Sequence, residues 1–140
     1  IEKFPQPGDF CIDAGGSPGG WTWVIQELGA RVLSIDRSPL DAKIASLPNV
    51  EYHKGDVFSI KPSDYDKVDW LFSDVICFPE KLFDWISLWF ESKKCKNFIC
   101  TIKFQGAANY SFAKKFLEFE GSQVVHLYNN KHELTFIHKE

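Results

Sequence analysis

The run from Cys11 to Trp21, CIDAGGSPGGW, constrains the fold more than any other stretch of this chain. A strand ends at Asp13, the glycines at 15, 16, 19 and 20 let the backbone turn tightly and approach a ligand, and a helix starts near Trp21. That order sets a helix N-terminus where it can face a polar ligand group. Apolar, β-branched runs and amphipathic segments alternate along the rest of the chain. Strands are predicted at Phe10–Ala14, Arg31–Asp36, Val50–His53, Val68–Asp74, Asn97–Lys103, Val124–Tyr128 and Glu133–His138. Helices are predicted at Trp21–Leu28, Leu40–Ser46, Glu80–Ser92 and Ser111–Glu120. VLSID and FICTI are apolar on both faces, as strands are when helices cover both sides of a parallel sheet. The class is therefore α/β, open and doubly wound. Only Asn129 to His132 separate the last two strands, too few residues for a crossover, so these strands form an antiparallel hairpin.

A chain of 140 residues suits one domain, 1–140. Its 44% hydrophobic and 25% charged residues exclude a disordered or collagen-like chain. Uncharged apolar runs such as Trp85–Phe90 fall far short of the ~20 residues that cross a bilayer, and no charged-then-apolar leader opens the sequence. No membrane role is expected, and a cytoplasmic address follows by default. Four cysteines, Cys11, Cys77, Cys95 and Cys100, make no CxxC pair and have no histidine at zinc-ligand spacing, so free thiols and no metal are expected. A net charge of −3 counts against a nucleic-acid grip supplied by this chain alone. The sequence opens at Ile1 and contains no Met, so it reads as an excerpt of a longer protein whose N-terminal part carries that grip.

The acidic residues give the glycine loop its meaning. Four successive strands end in or near an aspartate: Asp13, Asp36, Asp56 and Asp74, all on the carboxyl edge where open α/β sheets bind ligands. A carboxylate at Asp36 can accept both ribose hydroxyls of an adenosyl group, and Asp56 is placed for the adenine amino group. A dinucleotide site would need GxGxxG, but Gly15, Ser17 and Gly20 stand at those positions and Pro18 interrupts the loop. That break and the terminal hairpin disfavour a nicotinamide oxidoreductase.

With these features in view the chain resembles the FtsJ-type ribose 2′-O-methyltransferases, most closely the catalytic domain of the RlmM type that modifies large-subunit ribosomal RNA. The resemblance runs through PGDFCIDAGGSPGGW, SIDRSPL, EYHKGDVF, FSDV, TIKFQG and LYNNKHELTFIHK. It implies a Rossmann-like class I methyltransferase fold, with a mostly parallel seven-stranded sheet that ends in an antiparallel hairpin and helices on both faces. It also implies S-adenosylmethionine as cofactor, S-adenosylhomocysteine as product and ribosomal RNA as substrate. The sequence leaves the oligomeric state open, with a monomer favoured. Gly15, Ser17, Pro18, Gly19, Gly20 and Trp21 would line the cofactor's methionine and ribose, with Asp36 on the ribose, Asp56 at the adenine and Asp74 nearby. The family's catalytic set is Lys-Asp-Lys-Glu, and Asp74, Lys103 and Glu133 match its last three members. Its first lysine lies upstream of the Pro7–Gly8 pair by more residues than this chain has there, and Lys3 is too close to serve.

Methyl transfer from a sulfonium is an in-line displacement, so the enzyme must hold the attacking oxygen close to the methyl carbon and help to remove its proton. Lysine acts as a base only when neutral, whereas neighbouring carboxylates favour the ammonium. Asp74 and Glu133 are therefore assigned to orienting lysine rather than activating it. The plainer readings are that Lys103 caps a strand at the surface and that Glu133 guards an edge strand. Trp85 and Trp89, four apart on a predicted helix, fit core packing, and the lysines at 93, 94, 96, 114 and 115 fit solvated helix ends as well as phosphate contacts. The alternative function is a cofactor-binding module without catalysis.

Overall fold

A computed structural model describes residues 3–104, 110–126 and 133–140. Seven strands form one sheet in the order β3-β2-β1-β4-β5-β7-β6. They are β1 Phe10–Ala14, β2 Arg31–Asp36, β3 Val50–Lys54, β4 Trp70–Ser73, β5 Phe98–Lys103, β6 Ser122–Val125 and β7 Glu133–His138. The first five run parallel. β7 enters antiparallel between β5 and β6, in the register that sets Phe98 opposite His138 and Lys103 opposite Glu133. The expected mixed sheet with a terminal antiparallel pair is therefore present. The residues assigned to its turn, 129–132, lie outside the described residues, as do residues 127 and 128 of the sixth predicted strand.

Helices cover both faces, as doubly apolar strands require. α1, Gly20–Glu27, packs Ile25 against Cys11, Val32, Trp70 and Phe72 on one face. α3, Pro79–Ser92, buries Leu82, Trp85, Ile86 and Trp89 against Ile12, Leu71 and Phe98 on the other. Pro79 and Glu80 suit its first turn, because proline lacks the N–H that would go unbonded there and an acid complements the helix dipole. The tryptophan pair is thus core, with the two rings edge to face at 6.3 Å.

Several predicted elements are shorter or different, the sixth strand among them, since it starts two residues early at Ser122 and ends at Val125. The segment predicted as Leu40–Ser46 is helical only over α2, Ala42–Ala45, where the Asp41 side chain accepts the N–H of Lys43 and fixes the start. The fourth strand begins at Trp70 rather than Val68, which makes a lone parallel bridge to Cys95. The helix expected over Ser111–Glu120 is a 3₁₀ helix, Tyr110–Glu118. Its buried residues Ala113 and Phe116, with Phe119 just beyond, recur every third residue, which matches three residues per turn.

Candidate functional site

The site is a cleft of about 810 Å³ over the carboxyl ends of the five parallel strands, β1 to β5. Its floor is the loop after β1. Gly15 adopts φ +81°, and a Cβ there would sit 2.5 Å from Val75 Cγ1, so only glycine fits between the loop and the chain leaving β4. The Gly15 N–H donates to the Ile35 carbonyl at 2.7 Å, which ties the loop to β2. At Gly16 a Cβ would overlap Ser34 Oγ.

Asp36 holds the next turn of the wall. Its Oδ2 accepts the Ser17 N–H at 3.0 Å and its Oδ1 accepts the Ser38 N–H at 2.8 Å. Each carboxylate oxygen keeps a second lone pair for a ligand hydroxyl. Tyr52 steadies the strand end by donating its hydroxyl to the carbonyls of Asp36 and Ser38. Asp56 accepts the Phe58 N–H on Oδ1 and lies 3.5 Å from Arg37 on Oδ2. Both acids line the cleft with Gly15 and Ser17.

Across the cleft, Lys103 Nζ lies 3.0 Å from Asp74 Oδ1 and 3.9 Å from Glu133 Oε1. β4 delivers Asp74, β5 delivers Lys103, and the antiparallel register delivers Glu133. Asp74 and Lys103 line the cleft. Glu133 reaches Lys103 without itself lining the cleft.

Other expected residues take different positions. Pro18, Gly19, Gly20 and Trp21 do not line the cleft. Gly19 is covered by Ile44 and Leu40, and Trp21 sits edge-on to Phe72, because α1 starting at Gly20 swings this tryptophan onto the face of the sheet that α1 covers. Gly20 has no atom within 4 Å of where its Cβ would be, so open space remains at the helix start. Asp13 points inward rather than to a ligand. It is 1% exposed, and its Oδ2 accepts the Thr22 hydroxyl at 2.7 Å. Burial pushes this carboxyl up to about 6, against the Thr22 hydrogen bond and with the help of Asp74 and Asp36. Lys3 lines a separate cleft with Asp9, Asp69 and Asn97, which precede β1, β4 and β5, so it is at the opposite edge of the sheet.

Sequence reasoning missed the segment after Asp74. Val75, Ile76, Cys77 and Phe78 form a wall of the cleft, together with Lys81 from α3 and Phe58. The one available signal was position, since ICFP directly follows a strand end on the ligand edge. Among the described residues no group of three or more His, Cys, Asp or Glu side chains could hold a metal ion, and no helix is long and apolar enough to cross a membrane.

Comparison with known proteins adds an independent line. The sequence model described as FtsJ-like methyltransferase matches residues 1–138. The ribosomal RNA large subunit methyltransferase M of Halorhodospira halophila (strain DSM 244 / SL1) is 35% identical over 99 residues, covering 71% of this chain and 29% of that protein. The protein of the same name from Xanthomonas oryzae pv. oryzae (strain PXO99A) is 30% identical over 144 positions, covering 97% of this chain and 41% of its own length. The chain thus spans well under half of these relatives. Among solved structures, the Methanococcus jannaschii fibrillarin pre-rRNA processing protein superposes with a TM-score of 0.67 at 18% identity, covering 99% of this chain and 69% of that one. At that identity the likeness is one of fold.

Proposed function

Because the chain belongs to the FtsJ-like methyltransferase family, we propose that it is the catalytic domain of an enzyme that moves a methyl group from S-adenosylmethionine to a ribose 2′-hydroxyl of RNA, ribosomal RNA in particular, in the cytoplasm. The observation that carries this reading is the convergence of Asp74, Lys103 and Glu133 beside the cleft that the glycine loop floors. The names of the relatives support the choice of ribosomal RNA.

The residues present suit the cofactor. Gly15 leaves no side chain between the loop and Val75, and the free lone pairs of Asp36 suit a vicinal diol. Asp56 is the acceptor available to an adenine amino group. When bound, S-adenosylmethionine supplies a methyl group on a sulfonium that an in-line oxygen displaces. Asp74 and Glu133 both hold the Lys103 amine, so it meets the substrate hydroxyl at one fixed place. Such positioning lowers the barrier by removing rotational freedom before the reaction.

Incubating the protein at its full natural length with methyl-labelled cofactor and ribosomal RNA tests the reading. Label is expected on ribose, recovered as alkali-resistant dinucleotides. Label on bases or on protein would reject it, and cofactor binding without any transfer would favour a binding module.

A further inference from the structure

We propose that the start of α3 grips the RNA strand, with Phe78 stacking on a base beside the target ribose and Lys81 pairing with a backbone phosphate; this rests on the reading of Lys103 as the centre of ribose methylation.

The wall after Asp74 is unusual in what it exposes. Ile76 is 79% exposed and Phe78 62%, although both are large and apolar and both face the cleft that holds Lys103. Phe78 cannot retreat into the core, because Pro79 is buried directly behind it and fixes the first turn of α3. Lys81 follows in the first turn of the same helix, with Nζ 4.4 Å from the centre of the Phe58 ring.

Charge selects the partner. Lys103 is engaged by Asp74 and Glu133, and Arg37 by Asp56. Lys81 makes no ion pair among the described residues, so its cation is available within a cleft otherwise rich in carboxylates. Burial raises the Cys77 thiol, while the charges of Lys81 and Lys103 pull it down, so both amines stand near residue 77. A phosphate complements Lys81, and an unstacked base complements an exposed ring one turn earlier. Single-stranded RNA presents both groups a nucleotide apart. A chain of net charge −3 can bind it here because the cation is local.

The test uses the protein at its full natural length with bound S-adenosylhomocysteine and fluorescein-labelled oligo-adenosine and oligo-uridine RNA, read by anisotropy at several salt concentrations. Phe78→Ala is expected to weaken RNA binding roughly tenfold, more for oligo-adenosine, and Phe78→Tyr to restore it. Lys81→Gln is expected to lower the slope of log affinity against log salt by about 0.7. Calorimetric affinity for the cofactor product stays unchanged. An equal loss of cofactor affinity, or no change in RNA affinity and salt slope, overturns the inference. Failure of the wild type to label ribose is a separate result, seen before any variant is made, and brings down both readings.

Discussion

At the scale of single residues, two charged groups in and under the cleft behave in opposite ways. Lys103 has carboxylates at 3.0 and 3.9 Å and a cleft in front of it. Lys103→Ala is expected to cut kcat by roughly 10²–10⁴ while calorimetry still detects cofactor binding, since the loop and Asp36 are untouched. Asp13 makes no ion pair among the described residues and is shut off from solvent. Its folded-state value of about 6 exceeds the ordinary 3.8, so the folded chain keeps a proton that the unfolded chain has released. Stability therefore declines as pH rises from about 4 to about 6, then levels off. Asp13→Asn keeps the oxygen that accepts the Thr22 hydroxyl and removes the titration. Urea unfolding across this range should show the variant gaining on the wild type by about 2–3 kcal/mol. A difference that stays constant with pH would contradict the buried carboxyl.

At the scale of elements, the loop between β1 and α1 depends on a space that one methyl group would fill. Gly16→Ala sets its Cβ against Ser34 Oγ, with Asp13 Oδ2 at 3.0 Å behind, and should cost about 1–3 kcal/mol. Adding Ser34→Ala removes the obstructing atom, so the double variant should recover much of the loss in thermal or urea unfolding, a coupling that distant sites would not show. β1, β2 and β7 have the limits that their patterning predicts, because a strand apolar on both faces or strictly bounded by turn residues has one way to lie in a sheet. Asp36 and Asp74 were legible as cleft residues for the same reason, since a parallel strand ends at the ligand edge. The rest was hidden by ambiguity of spacing and facing. Phe112 and Phe116 are four apart and suggest an α-helix, whereas Ala113, Phe116 and Phe119 are the residues that become buried and impose three. Asp13 could face either way from its strand end. Nothing in the composition around Ile76 and Phe78 marks them as cleft residues, and only their place after β4 puts them there.

At the scale of the whole molecule, the sheet separates reactive surface from inert interior. Cys11, Cys95 and Cys100 are buried, and burial pushes the last two up to about 12. Cys77 alone reaches the cleft. A thiol reagent should titrate one group in the native protein, more slowly than a free thiol because burial raises it, and all four only after unfolding. Phe136 of β7 sits in the same interior, against Phe98, Phe116 and Phe119. That strand also carries Glu133 to Lys103, and neighbouring residues on it point to opposite faces. The chemistry and the core are therefore geared to one ladder. A single residue inserted between Glu133 and Phe136 would leave the core in mesh and turn the carboxylate away from its amine.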